Sequence, residues 1–136
     1  MDLEKLKEFR NANNPYAALL GIRVEEIGQG TARVSLRLED KHFNPVGVPH
    51  GGVYFSMADT ACGSAMASHG YYAVTVNASY DFLRSGRAGD TLTAVAAEVK
   101  GGRTLCVYGV RITNQEGTLL GTGTFTFYKL DREIEL

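Results

Sequence analysis

Apolar and polar residues alternate along a short stretch in the first third of the chain. The apolar positions are Ala32, Val34, Leu36 and Leu38, and one polar residue separates each from the next. Alternation with a period of two predicts a strand with one face against a core and the other face in water. A glycine-rich turn signal at residues 28–30 precedes this strand, so we predict a β-hairpin over residues 22–38.

The second half of the chain predicts four further strands between residues 72 and 128. This region is rich in Val, Thr, Tyr and Phe, which favour extended structure. Turn signals at residues 84–90, 100–103 and 114–117 divide it into four runs. Because connections this short join antiparallel strands, we expect consecutive strands of this group to be neighbours. The whole chain then has about six strands.

Residues 52–68 have a different pattern. They are rich in Ala and Met, and Gly70 follows as a stop signal, which predicts a helix of about 16 residues and near 24 Å in length. Apolar side chains lie on all sides of it, and Asp59 is its one charged residue, as is typical of a helix buried in a core. A membrane span is the alternative, and Asp59 near the middle argues against it.

The N-terminus predicts a second, shorter helix at about residues 2–10, where charged residues mix with Leu3, Leu6 and Phe9. This pattern is not that of a signal peptide, so we expect a cytoplasmic protein. The elements together predict an α+β fold in which one long buried helix is wrapped by a curved antiparallel sheet of about six strands. With 136 residues, the chain is expected to form a single domain, residues 1–136.

Composition and charge exclude several classes of protein. Apolar residues make up 44% and charged residues 21% of the chain, which argues against disorder and against a coiled coil. Fourteen basic and fifteen acidic residues leave a net charge of −1, far from the basic balance of a nucleic-acid-binding protein. Cys62 and Cys106 lack the spacing of a disulfide framework or zinc site and are interpreted as core residues.

Asp59 and the loop before its helix are the candidates for chemistry. A buried, unpaired carboxylate costs several kcal/mol, so Asp59 is either capped or functional. His50, Gly51 and Gly52 stand where the helix begins, and the N–H groups of a helix N-terminus can hold an oxyanion. Paired glycines more often make simple turns. Asn44 upstream and Asp59 downstream make the combination specific.

With these residues the chain resembles the hotdog-fold acyl-CoA thioesterases, and within them the phenylacetyl-CoA (PaaI-type) group. The resemblance extends from about residue 19 to residue 128. It rests on Asn44, His50-Gly51-Gly52, Met57-Ala58-Asp59-Thr60-Ala61, Thr75 and Tyr80-Asp81-Phe82-Leu83-Arg84. It implies hydrolysis of a small or aromatic acyl-CoA in phenylacetate catabolism. It also implies a homo-oligomer, with a dimer as the catalytic unit and a tetramer as the assembly.

The resemblance also implies roles for five catalytic residues. Asp59 is expected to act as the nucleophile or as the general base that activates water. The Gly51 N–H would polarise the thioester carbonyl, Asn44 and His50 would line the carbonyl and water site, and Thr75 would position the water or the carboxylate. A thiolate departs without a strong general acid. We therefore expect no metal and no cofactor other than the coenzyme A of the substrate.

Substrate binding is expected of six residues: Gly52, Tyr54, Arg84, Arg87, Lys100 and Arg103. Gly52 extends the backbone at the helix start, and Tyr54 is a candidate for setting the depth of the acyl pocket. The four cations lie in or beside predicted turns and could hold the phosphates of coenzyme A. Solvated turn charges are the alternative interpretation of these cations.

Helix geometry adds a further expectation. If the helix is continuous from His50, nine residues place Asp59 on its opposite side and about 13 Å along the axis. One chain cannot easily direct both residues at one carbonyl. We therefore expect Asp59 of one subunit to face Asn44, His50 and Gly51 of another.

Two other functions are compatible with the pattern. The loop around His42 is faintly similar to the histidine loop of hotdog-fold hydroxyacyl thioester dehydratases, which abstract a proton next to the thioester instead of hydrolysing it. A non-catalytic acyl-CoA-binding module is the second alternative. Acyl-CoA is the partner in all three, and neither nucleic acid nor membrane is expected.

Overall fold

The computed structural model describes all residues, 1–136. There are three helices: α1 (Leu3–Ala12), α2 (Pro15–Leu20) and α3 (Gly51–Ala67). The six strands are β1 (Arg23–Gly28), β2 (Thr31–Arg37), β3 (Tyr71–Phe82), β4 (Thr91–Gly101), β5 (Leu105–Thr113) and β6 (Leu119–Glu133), and a single 3-10 turn spans Asp40–His42. The long helix, the hairpin and the four later strands agree with the pattern in the sequence.

All six strands form one antiparallel sheet in the order β1-β2-β4-β5-β6-β3. The expectation that β3 and β4 are neighbours is wrong, because β3 pairs with β6 at the far edge of the sheet. A short link produces a hairpin only where the chain turns back beside the strand that it has just left. Residues 83–90 instead cross near the start of α3, where the Gly86 N–H donates a hydrogen bond to the hydroxyl of Tyr54 (2.8 Å).

Helix α2 was not expected from the pattern, although its ends carry clear local signals. The Asn14 side chain accepts a hydrogen bond from the N–H of Ala17, and Pro15 occupies the first turn. Gly21 ends the helix with φ of 84°, a left-handed conformation that favours glycine. Six residues are too few to show helical periodicity, so only the capping residues could have identified this helix.

Helix α3 lies in the core of the protein. Met57, Ala58, Ala61, Cys62 and Ala65 are fully buried, and the small side chains among them let the sheet approach the helix axis closely. The His50 side chain caps the start of α3, and Gly70, with φ of 89°, follows its end. None of the helices combines the length and the apolar character that crossing a bilayer requires.

The two edges of the sheet differ in how they are covered. Helix α1 lies against the β1 edge, where the Asn11 side chain pairs with both the N–H and the carbonyl of Val24 (2.9 Å each). Strand β3 pairs on one side only, and Val74 and Val76 are about half exposed, at 48% and 53%. The outer edge of this twelve-residue strand is therefore available to another chain.

Candidate active site

Asp59 and Thr75 form the central pair of the candidate site. Asp59 is half-buried on the side of α3 that the sheet leaves open, and the hydroxyl of Thr75 in β3 donates a hydrogen bond to its Oδ1 (2.5 Å). This bond orients the carboxylate and leaves Oδ2 with no hydrogen bond from the chain. The contact joins two of the residues that the resemblance singled out, one from α3 and one from β3.

A cleft of about 290 Å³ adjoins this pair. One wall is α3, with Asp59, Gly63 and Ala67 at successive turns, and the opposite wall is the first half of β3. Arg10 of α1 closes one side. The cleft is therefore lined by one carboxylate, one guanidinium and otherwise uncharged side chains.

The start of α3 forms a second group of candidate residues. The Nδ1 atom of His50 accepts a hydrogen bond from the N–H of Gly52 (2.8 Å), which places the imidazole proton on Nε2. Gly51 is the first residue of the helix, so no helical carbonyl precedes it to accept its N–H. No loop carbonyl or side chain accepts it either. This N–H is thus free for an oxyanion or a carbonyl.

Gly51 is also a position of close approach. A Cβ atom at this position would lie 3.2 Å from the ring of Phe82, at the end of β3. That separation is tighter than ordinary van der Waals contact, so a side chain here would displace the ring or the helix start. Glycine at this position keeps the free N–H accessible beside the aromatic ring.

Asn44 organises the loop before α3. Its Oδ1 accepts hydrogen bonds from the N–H groups of Val46 (3.0 Å) and Val48 (3.2 Å). A bridge between Phe43 and Pro49 closes the same loop. The amide nitrogen of Asn44 makes no hydrogen bond within the chain and can donate to a bound carbonyl or water.

Within one chain the two groups stay apart. Helix α3 is continuous from Gly51 to Ala67, so Gly51 and Asp59 are separated by about 12 Å along its axis. None of Asn44, His50 and Gly51 lines the cleft beside Asp59. The chain therefore carries two half-sites, the Asp59 half with Thr75 and the Gly51 half with Asn44 and His50.

The six expected substrate-binding residues do not form one site in the chain. Tyr54 is buried at 4% exposure, and its hydroxyl serves the loop at Gly86. Arg84 and Arg87 line a depression of about 230 Å³ at the start of β4. Lys100 and Arg103 lie at the other end of β4, about 30 Å away along the strand. Only Gly52 adjoins a half-site, next to Gly51.

Arg10 is a charged residue of the cleft that no pattern in the sequence indicates. It lies near the end of α1, and its Nε donates a hydrogen bond to the hydroxyl of Ser64 in α3 (2.8 Å). Burial lowers the pKa of Arg10, and the nearby Asp59 carboxylate acts in the opposite direction. A basic residue in the last turn of a surface helix is common, so no local signal distinguishes it from a solvated charge.

Other reactive side chains have structural surroundings. Cys62 is fully buried, and burial, followed by the Asp59 carboxylate, raises the pKa of its thiol, which keeps the thiol protonated and unreactive. His42 accepts a hydrogen bond from the N–H of Glu39 at Nδ1 and donates one to the Leu20 carbonyl from Nε2. His69 pairs with Glu98 at 2.5 Å. These contacts secure loops and the end of α3.

A family model, a relative and a solved structure all match this chain, and all three matches are to thioesterases. The model of the thioesterase superfamily matches residues 46–120. The acyl-coenzyme A thioesterase PaaI of Escherichia coli strain K12 is 39% identical over 115 residues, which cover 81% of this chain and 82% of that protein. The solved structure of the E. coli PaaI protein, from the phenylacetic acid degradation operon, superposes with a TM-score of 0.88 at 34% identity, covering 95% and 97% of the two chains.

A second solved structure contains a nucleotide ligand. A hypothetical thioesterase from Streptococcus pneumoniae, crystallised with coenzyme A, has a TM-score of 0.79 and 33% identity to this chain. The match covers 83% of this chain and 88% of that one.

Proposed function

The chain belongs to the thioesterase superfamily as a hotdog-fold protein of the PaaI type, and from this we propose that it hydrolyses small or aromatic acyl-CoA thioesters to the free acid and coenzyme A. The observation that carries the proposal is the Asp59 carboxylate, oriented by Thr75 at the mouth of a cleft. The relatives named for acyl-CoA thioesterase activity support the choice of substrate.

In the proposed mechanism Asp59 either takes a proton from water or attacks the carbonyl carbon itself. Water attack moves one proton to Asp59 and places negative charge on the carbonyl oxygen, where the Gly51 N–H of the other half-site would stabilise it. The C–S bond then breaks, the thiolate of coenzyme A departs, and the proton on Asp59 passes to the thiolate or to water. Direct attack by Asp59 expels the same thiolate and leaves an anhydride between Asp59 and the acyl group, which water hydrolyses to the free acid and the Asp59 carboxylate. A thiol has a pKa near 8.5, so it leaves without a strong acid. No metal is needed for these steps.

A homodimer is the proposed catalytic unit, because the two half-sites of one chain cannot meet. The unpaired edge of β3 and the open side of α3 lie next to Asp59 and are the surfaces that a second copy would cover. Val74 and Val76 on that edge, together with Phe55 on the helix, are exposed apolar side chains, as expected of a surface buried in an oligomer. The resemblance to the PaaI type supports a tetramer built from two such dimers.

Coenzyme A is proposed to bind through its phosphates to cations outside the Asp59 cleft. The four candidates, three arginines and one lysine, form two pairs at opposite ends of β4. One molecule of coenzyme A could therefore contact at most one of these pairs in each subunit. Arg84 and Arg87 belong to the loop whose Gly86 contacts Tyr54 near the start of α3, which favours this pair over Lys100 and Arg103 as the phosphate contacts.

A thiol-release assay tests the proposed activity. The purified protein is tested on aliphatic, hydroxybenzoyl and phenylacetyl thioesters of coenzyme A. We expect Asp59→Asn to lower kcat by at least about a thousandfold, because the amide can neither attack nor accept a proton. Wild-type turnover in this variant would contradict the assignment.

Two variants of Thr75 provide matched controls. Thr75→Val removes the hydroxyl at constant shape and should lower kcat about tenfold to a hundredfold, the value of one hydrogen bond to a charged group. Thr75→Ser retains the hydroxyl and should retain most activity. Hydration of crotonyl-CoA without thiol release would instead identify a hydratase, and tight acyl-CoA binding without turnover would identify a binding module.

A further inference from the structure

Arg10 is a part-buried residue whose guanidinium has few partners. Its Nε is used by Ser64, but no carboxylate oxygen of the chain lies within 4.0 Å of its nitrogens. The two terminal nitrogens donate no hydrogen bond to any protein group. A guanidinium presents these donors as a planar fork that fits a carboxylate. The cleft thus contains a pre-oriented anion receptor with no acceptor in the chain.

The spacing between Asp59 and Arg10 along the cleft determines how long an acyl group must be to contact both. A terminal nitrogen of Arg10 lies 3.3 Å from the place that a Cβ atom on Gly63 would occupy. Gly63 is one helical turn beyond Asp59, which is about 6 Å along the axis. An acyl group whose carbonyl lies at Asp59 and whose chain follows the cleft would therefore bring its fourth or fifth carbon to Arg10.

The charged residues of the cleft favour one kind of acyl group over another. Asp59 and Arg10 are the charged residues that line the cleft, and its other walls are neutral. Asp59 alone would repel a second carboxylate in this cleft, whereas Arg10 supplies the opposite charge. A purely aliphatic chain would instead cover the guanidinium and leave its N–H groups without acceptors, which is unfavourable.

We infer that Arg10 binds a carboxylate at the far end of the acyl group, so that the preferred substrates are monothioesters of short dicarboxylic acids with coenzyme A. This inference rests on the proposed thioesterase function and specifies its substrate class. The Ser64 hydroxyl holds the guanidinium by Nε, which leaves the terminal fork directed to the substrate. Arg10 is in this view a specificity-determining residue.

The test compares glutaryl-CoA with hexanoyl-CoA, which has a similar length and no terminal charge. The wild-type protein should give the higher kcat/KM with glutaryl-CoA. Arg10→Met removes the charge at similar length and should lower kcat/KM for glutaryl-CoA about a hundredfold, with less than about a threefold change for hexanoyl-CoA. Arg10→Lys should fall between wild type and Arg10→Met, because a lysine keeps the charge but lacks the fork.

Lys7→Met is the matched control, since Lys7 is another cation of α1 that pairs with Glu4 outside the cleft. It should leave the substrate preference unchanged. Equal losses on both thioesters in Arg10→Met would overturn the inference and indicate that Arg10 supports Asp59 or the fold. Wild-type hydrolysis of hexanoyl-CoA but not of glutaryl-CoA would overturn the inference while retaining the thioesterase. Absence of thiol release from every thioester would overturn the proposed function, and the inference with it.

Discussion

At the scale of single residues, Gly51 combines a free donor with a steric limit. Its N–H has no acceptor because the helix begins there, and the ring of Phe82 leaves no ordinary space for a Cβ atom. A preorganised donor of this kind stabilises an oxyanion without reorganisation during the reaction. Position 51 must therefore offer a free N–H to the oxyanion and leave space beside the Phe82 ring, and only glycine meets both requirements.

Gly51→Ala should lower kcat by about tenfold or more, because crowding against Phe82 shifts the N–H from the carbonyl oxygen. The unfolding temperature should fall slightly, since crowding against the Phe82 ring outweighs the higher helix propensity of alanine. Steady-state kinetics and the unfolding temperature are the two measurements.

The double variant Gly51→Ala with Phe82→Leu identifies the cause of that loss. A smaller side chain at position 82 gives the new methyl group room, so part of the lost kcat should return relative to Phe82→Leu alone. If the double variant recovers nothing, the methyl group itself blocks the substrate. An unchanged kcat in Gly51→Ala would remove Gly51 from the mechanism.

At the scale of elements, α3 combines a fully buried side with an open side of small or polar residues. The open side contains Gly52, Ser56, Asp59 and Gly63 at spacings of three and four, so all four lie on one face. Glycine in the middle of a helix costs about 1 kcal/mol relative to alanine. Glycine is nevertheless suited to position 63, because Arg10 and Phe127 lie against it and a side chain there would crowd Arg10.

Gly63→Ala should therefore raise stability and lower activity. The free energy of unfolding should rise by about 0.5 to 1 kcal/mol from helix propensity, since the end of the Arg10 side chain can move to admit the methyl group. The displaced Arg10 and the narrower cleft should lower kcat/KM about tenfold. Chemical denaturation and the thiol-release assay measure the two quantities.

Ser56→Ala is the control for that effect, because it lies on the same open side but outside the cleft. It removes a hydrogen bond to Tyr16 (2.8 Å) and should leave kcat/KM near the wild-type value. A Gly63→Ala protein with unchanged kcat/KM would show that the cleft does not receive the acyl group.

At the scale of the whole molecule, the division into two half-sites predicts complementation between inactive chains. In a heterodimer of Asp59→Ala and His50→Ala chains, one composite site carries both substitutions and the other carries neither. Random assortment makes half of the dimers mixed, so the mixture should reach about a quarter of wild-type activity. The measurement is thiol release after the two variants are unfolded together and refolded.

A second mixture supplies the control for complementation. Asp59 and Thr75 hydrogen-bond within one chain, so a heterodimer of Asp59→Ala and Thr75→Val chains contains no intact site. Its activity should not exceed that of its parents. Equal recovery in both mixtures, or none in either, would contradict the shared site.

The sequence alone determined the elements whose signals are local. The alternation from Ala32 to Leu38 and the apolar helix with Asp59 appear in the structure much as the periodicities predict. The resemblance identified Asp59 with Thr75, and the structure brings these two residues into hydrogen-bonding contact. Side-chain periodicity and motif spacing act over a few residues, which is why they can be recognised before the fold is known.

The tertiary structure alone decided which distant segments meet. Strand β3 pairs with β6 and not with β4, because the link after β3 crosses near the helix start instead of turning within the sheet. The four candidate cations separate to opposite ends of β4, since a strand is extended. Arg10 reaches the Asp59 cleft because Asn11 and its neighbours dock α1 on the sheet edge. Such contacts depend on the packing of the whole chain, and no local pattern in the sequence encodes them.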